Sequence, residues 1–162
     1  MVKNLREEIM KVIFLDCDGV INCVSPSYTT SYYKPDGSVT YFDEHLIQRL
    51  NWLIEKSDAD VVISSSWRYD MSDLKEQMEL NGFKHWDKVI GYTPTLNHRG
   101  EEIQKWLDDN PEYKCYVVLE DEPQDVCGDK CNIISKLFVV EVNSQIGLTH
   151  EDVQAAYMIL TV

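Results

Sequence analysis

Residues 11–22 read KVIFLDCDGVIN, and the fold follows from how this stretch begins and where it stops. Val12, Ile13, Phe14 and Leu15 are apolar in succession, the pattern of a strand covered on both faces rather than one. The run ends abruptly at Asp16. Asp18 lies two residues further on, so an extended backbone projects both carboxylates to one side, and Gly19 then lets the chain turn or another group approach closely. Carboxylates this near repel each other and lose hydration, which points to a cation or an anionic intermediate managed at the strand end. Two turn or cap aspartates after a core strand would read the same, so the rest of the chain decides.

Two later strands repeat the design. Residues 59–63 form a buried strand that runs into Ser64, Ser65, Ser66, Trp67 and Arg68, offering hydroxyls to an oxyanion. Residues 115–119, CYVVL, stop at Glu120, Asp121 and Glu122, with Asp125 close behind. Ahead of both, leucines and an isoleucine at helical spacing predict a helix over 43–56 capped by Asp43. A second helix is expected over 70–80, closed by Asn81-Gly82, and a third over 100–109, stopped before Pro111. A short strand is expected at 89–90, another over 137–140, and a last helix over 151–160 capped by Thr149. Strands alternating with helices predict a parallel sheet flanked by helices, an α/β fold. Arg99 stands at the start of the third helix, where a cation opposes the helix dipole, so it requires an anionic partner from elsewhere.

The insert after the aspartate pair, residues 23–42, has no helical period but is dense in Tyr, Ser and Thr around a Pro-Asp-Gly turn, the signature of a hairpin. Such a flap would shade the site. Tyr28, Tyr32, Tyr33 and Tyr41 would stack on a ring or base, or simply pack the hairpin onto the body. Residues 1–10 are polar and helix-prone, an N-terminal extension. The 162 residues are expected to make one domain.

Composition narrows the class. A formal charge of −13 disfavours tight non-specific binding to a nucleic-acid backbone. No apolar run reaches the roughly 18 to 20 residues of a membrane span, and the charged N-terminus has no signal-peptide core, so a soluble cytoplasmic protein is expected. Five irregularly spaced cysteines favour reduced thiols. Cys127 and Cys131 lack the second pair a zinc site needs.

Taken together, FLDCDGVIN, VVISSSWR, HRGEEIQKWL, VVLEDEPQDV and the closing GLTHEDVQAA resemble the haloacid dehalogenase (HAD) superfamily, and within it the small HAD domains of RNA-repair proteins. The resemblance implies a Rossmann-like parallel sheet with no large cap, and magnesium-dependent phosphomonoester hydrolysis through an aspartyl-phosphate. It makes Asp16 the nucleophile and a Mg2+ ligand, and Asp18 the general acid and base with its backbone carbonyl on the metal. Ser65 would be the hydroxyl of the second motif, with Ser64 the alternative. Arg99 would hold Asp16 and the phosphoryl group, and Asp121 would ligate Mg2+ with help from Glu120 or Asp125. Arg68 would hold a substrate phosphate or form an internal ion pair.

The chemistry agrees with these residues. Four aspartates would repel a phosphate dianion unless a divalent cation and Arg99 stood among them, and oxygen donors suit magnesium. The second aspartate separates reaction classes: a halide leaves without a proton, whereas an alkoxide needs one, so phosphoester hydrolysis is favoured. The expected substrate is a phosphorylated small molecule such as a nucleotide, or a nucleic-acid 3′-phosphate end. A second reading from another class is a HAD-like binding or regulatory module with little turnover, which would use the hairpin to contact a partner.

Overall fold

The computed structural model describes residues 8–23, 32–33, 35–37 and 39–161. In chain order its elements are β1 (Met10–Leu15), β2 (Tyr32–Tyr33), β3 (Val39–Thr40), α1 (Glu44–Ser57), β4 (Asp60–Ile63), α2 (Met71–Leu80), β5 (Val89–Tyr92), α3 (Arg99–Asp109), β6 (Tyr113–Glu120), α4 (Gln124–Cys127), β7 (Val139–Glu141) and α5 (His150–Leu160).

β1 is the centre of a five-stranded sheet ordered β5-β4-β1-β6-β7, and each of its ladders is parallel. This is the expected α/β architecture. The continuous apolar run of β1 is explained by its place: Val12, Ile13, Phe14 and Leu15 are each 0% exposed because both sheet faces are covered. Strand alternation sorts the core into two layers. Ile13, Leu15, Val61, Ile63, Val117 and Leu119 meet Leu50 and Leu53 of α1, Leu74 and Met78 of α2, and Val153 and Ala156 of α5. Val12, Phe14, Val62 and Val118 face Ile103 and Trp106 of α3, with the Phe14 ring edge-on to Trp106 at 5.4 Å.

The Asp43 and Thr149 caps expected from sequence are made, and Asp70 adds a third. Asp43 accepts from the His45 and Leu46 amides, Asp70 from that of Asp73, and Thr149 forms a capping box with Asp152. The strand expected over 137–140 begins only at Val139, because Ser135 caps a 3-10 turn over Lys136–Phe138. β6 starts two residues earlier than expected, at Tyr113. Met10 opens β1, and residues 1–7 of the proposed extension lie outside the described residues, as do residues 24–31 of the insert. The hairpin itself is present: Tyr32 pairs with Thr40 and Tyr33 with Val39, around a turn in which Gly37 has φ 85°. No helix among the described residues is long and apolar enough to cross a membrane.

The chain builds β1, β4 and β5 in one direction, then crosses back to lay β6 and β7 on the other side of β1. The reversal opens a crevice beyond the carboxyl ends of β1 and β6, where α/β sheets bind ligands.

Candidate active site

Strand alternation continues past the strand ends and decides what faces the crevice. Asp16, Ser64 and Glu120 each follow a residue of the first core layer, so they belong to the parity of Phe14, Val62 and Val118, on the α3 side of the sheet. The backbone joins them: the Ser64 amide donates to the Leu15 carbonyl at 2.8 Å and the Asp16 amide to the Leu119 carbonyl at 3.2 Å.

Asp16, Glu120 and Asp121 thereby converge, with one carboxylate oxygen of each within 4.8 Å of the others. Asp16 and Glu120 are only 8% and 4% exposed. Burial, and then the Glu120 charge beside it, push the Asp16 carboxyl well above the usual range. Burial pushes Glu120 up to about 8, although Arg99 pulls the other way. Burial and mutual repulsion of this kind favour a cation among the carboxylates. Three clustered oxygen donors of this kind fit a hard divalent ion such as Mg2+ and offer no soft ligand for zinc. Gly19 makes the approach possible. Its φ of 82° suits glycine, and a Cβ there would run into the Asp121 carboxylate.

Asp18 is held from two directions. Asn22, completely buried, donates its amide to Asp18 Oδ1 at 2.9 Å and to the Tyr41 carbonyl at 3.0 Å, while its own Oδ1 accepts from the Gly19 amide at 2.8 Å. The Trp67 indole donates to the same Asp18 oxygen at 3.3 Å. Trp67 packs against Phe42 and Tyr41, with ring centroids 5.0 and 5.8 Å away, so the base of the hairpin is tied to the aspartate pair. Of the four tyrosines named from the insert, Tyr41 is the one whose side chain is described, and it packs on the body through Trp67.

The two candidate hydroxyls have different occupations. Ser65 Oγ accepts from the Trp67 amide at 3.2 Å, capping the 3-10 turn Ser66–Asp70, and its position places it on the Cys17 side of the sheet. Ser64 Oγ is buried on the Asp16 side and has no hydrogen-bond partner among the described residues. Cys17 is fully buried, and burial together with the Asp16 charge holds its thiol well above the usual range, as suits an inert filler.

Arg99 finds the anions its helix position requires. Its Nε lies 3.8 Å from Glu120 Oε2 and its NH1 3.6 Å from Glu102 Oε2, while NH1 itself is buried without a hydrogen bond. Arg68 turns to Glu102, with NH1 and NH2 at 3.0 and 3.1 Å from its two oxygens, which is the internal ion pair among its two readings. Asp125 stands outside the carboxylate cluster. One oxygen accepts from the Arg99 amide at 2.9 Å and the other from His98 Nδ1 at 2.7 Å, so it caps α3 in place of a local residue. Its pKa is lowered because these donors outweigh its burial.

Asn22, Trp67 and Glu102 were not singled out from sequence. Asn22 and Trp67 do lie inside the motifs around Asp18 and Ser64, and that adjacency was the available signal. Glu102 carried none, since a second acid in the first turn of a helix reads as dipole compensation.

A family model described as the HAD domain in Swiss Army Knife RNA repair proteins matches residues 12–153. No curated protein gives a significant match.

Proposed function

The chain belongs to the family of HAD domains in Swiss Army Knife RNA repair proteins, which implies a phosphatase-type hydrolase, and from that premise we propose a Mg2+-dependent phosphomonoesterase working through an aspartyl-phosphate. The observation that carries this reading is the convergence of Asp16, Glu120 and Asp121 within 4.8 Å of one another beside two unpartnered donors, Ser64 Oγ and Arg99 NH1.

Asp16, Asp121 and Glu120 would hold the ion, which when bound shields their charge and polarises the phosphoryl oxygens. Asp16 is the nucleophile: its oxygen forms a bond to phosphorus as the bond to the leaving oxygen breaks. Asp18 gives that leaving oxygen a proton, then takes one from the water that attacks phosphorus and frees Asp16. The Asn22 and Trp67 contacts keep Asp18 aimed through both steps. Ser64, rather than Ser65, serves as the second-motif hydroxyl, because its Oγ is free on the Asp16 side while Ser65 caps a turn. Ser64 and Arg99 bind the phosphoryl oxygens, where negative charge accumulates.

The substrate we propose is a nucleotide or a nucleic-acid 3′-phosphate end. In its favour, Trp67, whose indole donates to Asp18, opens onto a groove with a second aromatic ring. Tyr69 is 70% exposed, and with Trp67, Ser66 and Asp70 it lines a shallow groove of about 240 Å³. Rings of this kind stack on bases. The charge of −13 limits contact with a long polyanion to its end.

The test is hydrolysis of p-nitrophenyl phosphate, nucleotides and 3′- or 5′-phosphorylated oligonucleotides with and without Mg2+. Phosphate release by the wild type and its loss in Asp16→Asn are expected. Equal rates in the two proteins would overturn the reading. No release from any substrate, together with a stable complex in a pull-down, would favour the binding-module alternative.

A further inference from the structure

Glu102 is a carboxylate contested by two arginines. It is 4% exposed, on the first turn of α3, and Arg68 at the other side is 9% exposed. Glu102 Oε2 lies 3.0 Å from Arg68 NH1 and 3.6 Å from Arg99 NH1, while Oε1 takes Arg68 NH2 and the Leu96 amide, each at 3.1 Å. Arg68 NH1 also lies 3.4 Å from Thr93 Oγ1. Arg68 therefore grips both carboxylate oxygens in a fork, and Arg99 NH1 keeps only a 3.6 Å ion-pair contact with Glu102, buried and without a hydrogen bond.

We propose that Arg68 and Glu102 are positioning residues, and that the work of Arg68 is to occupy Glu102 so that the Arg99 guanidinium stays free for an anionic phosphoryl group. This rests on the reading of Arg99 as the phosphoryl-holding cation. The physical reason is competition. A buried carboxylate stripped of its partner is costly and takes the nearest cation. With Arg68 gone, that cation is Arg99, whose NH1 would close on Glu102 and be lost to the ligand. With Arg68 present, Glu102 is satisfied and still near enough to orient Arg99 without hydrogen-bonding it. Arg68 has both terminal nitrogens committed to Glu102 and only its Nε without a hydrogen bond, so its role is assigned through this pair.

The experiment is calorimetric titration of inorganic phosphate, with Mg2+ present, into the wild type, Arg68→Gln, Arg68→Lys and the double variant Arg68→Gln/Glu102→Gln. Phosphate binding does not depend on turnover, so failure of the hydrolase reading is visible separately as a wild type that binds phosphate and releases none from esters. Arg68→Gln is expected to weaken phosphate about tenfold or more. Removing the freed carboxylate in the double variant is expected to restore affinity to within about threefold of the wild type, and Arg68→Lys, which keeps the charge, to lose less than Arg68→Gln. A purely structural role predicts the opposite order, with the double variant as weak as the single or weaker, and that result would overturn the proposal. A wild type that binds no phosphate would also overturn it. If thermal melting finds Arg68→Gln unfolded, the neutral pair Arg68→Met/Glu102→Gln takes its place, and weak phosphate binding by that folded protein overturns the proposal equally.

Discussion

Asn22 binds Asp18 and Gly19 at once, donating to the Asp18 carboxylate at 2.9 Å and accepting from the Gly19 amide at 2.8 Å, so one buried side chain closes the turn that carries the aspartate pair. Its loss should act on the proton-transfer role of Asp18. Asn22→Ala is expected to lower kcat roughly tenfold or more on an alkyl phosphate, the scale of losing a supporting hydrogen bond. On p-nitrophenyl phosphate, whose leaving group needs little protonation, the loss should be smaller. Comparing the two substrates checks this, and an equal loss on both would refute it.

Gly19 tests the other side of the same turn. Gly19→Ala sets a methyl against the Asp121 carboxylate on a backbone with φ 82°. Displacing one of three clustered carboxylates should raise the Mg2+ concentration needed for half-maximal activity and cut turnover by roughly a hundredfold, as misplacement of a catalytic group does. A magnesium titration of both proteins reads the effect.

The two serines should separate cleanly. Ser64→Ala removes a buried, unpartnered hydroxyl on the Asp16 side and is expected to lower kcat by roughly a hundredfold without loss of stability. Ser65→Ala removes the cap of the 3-10 turn and should cost about 1 kcal/mol of stability with a lesser effect on turnover. Paired kinetics and denaturant unfolding distinguish the roles, and the reverse pattern would return the motif to Ser65.

Protons should compete with the cation. Glu120 is raised from 4.5 to about 8 by burial, and Asp16 is raised too. Because the folded pKa exceeds the unfolded one, the folded protein without metal binds more protons. Its stability from this source is fully present below about pH 4.5 and is lost as the pH rises to about 8. Added Mg2+ should flatten the decline, since it replaces the protons, and its affinity should rise with pH over the same window. Melting curves at several pH values, with EDTA or with Mg2+, test both slopes.

Much of this was legible locally. The buried run ending at Asp16, the Asp43 and Thr149 caps and the hairpin around Gly37 are each written in a few neighbouring residues, because periodicity and capping are short-range effects. The strand over 137–140 was misplaced at its start because Leu137 and Phe138 fit a strand as well as a turn, and the Ser135 cap chose the turn. Ser64 and Ser65 could not be separated for a related reason. The strand before them is apolar on both faces, which erases the alternation that would have told which serine shares a side with Asp16.

By itself the sequence determined the parallel α/β sheet and the kinds of group at its carboxyl edge, since apolar strands that end in acids and hydroxyls leave no other place for them. Tertiary structure alone decided the pairing of charges. Arg68 meets Glu102 across 34 residues, Asp125 caps a helix 26 residues upstream, and Glu120 rather than Asp125 joins Asp16 and Asp121. Buried charges compete for few partners, and the winner is set by distances that exist only once the strands lie side by side.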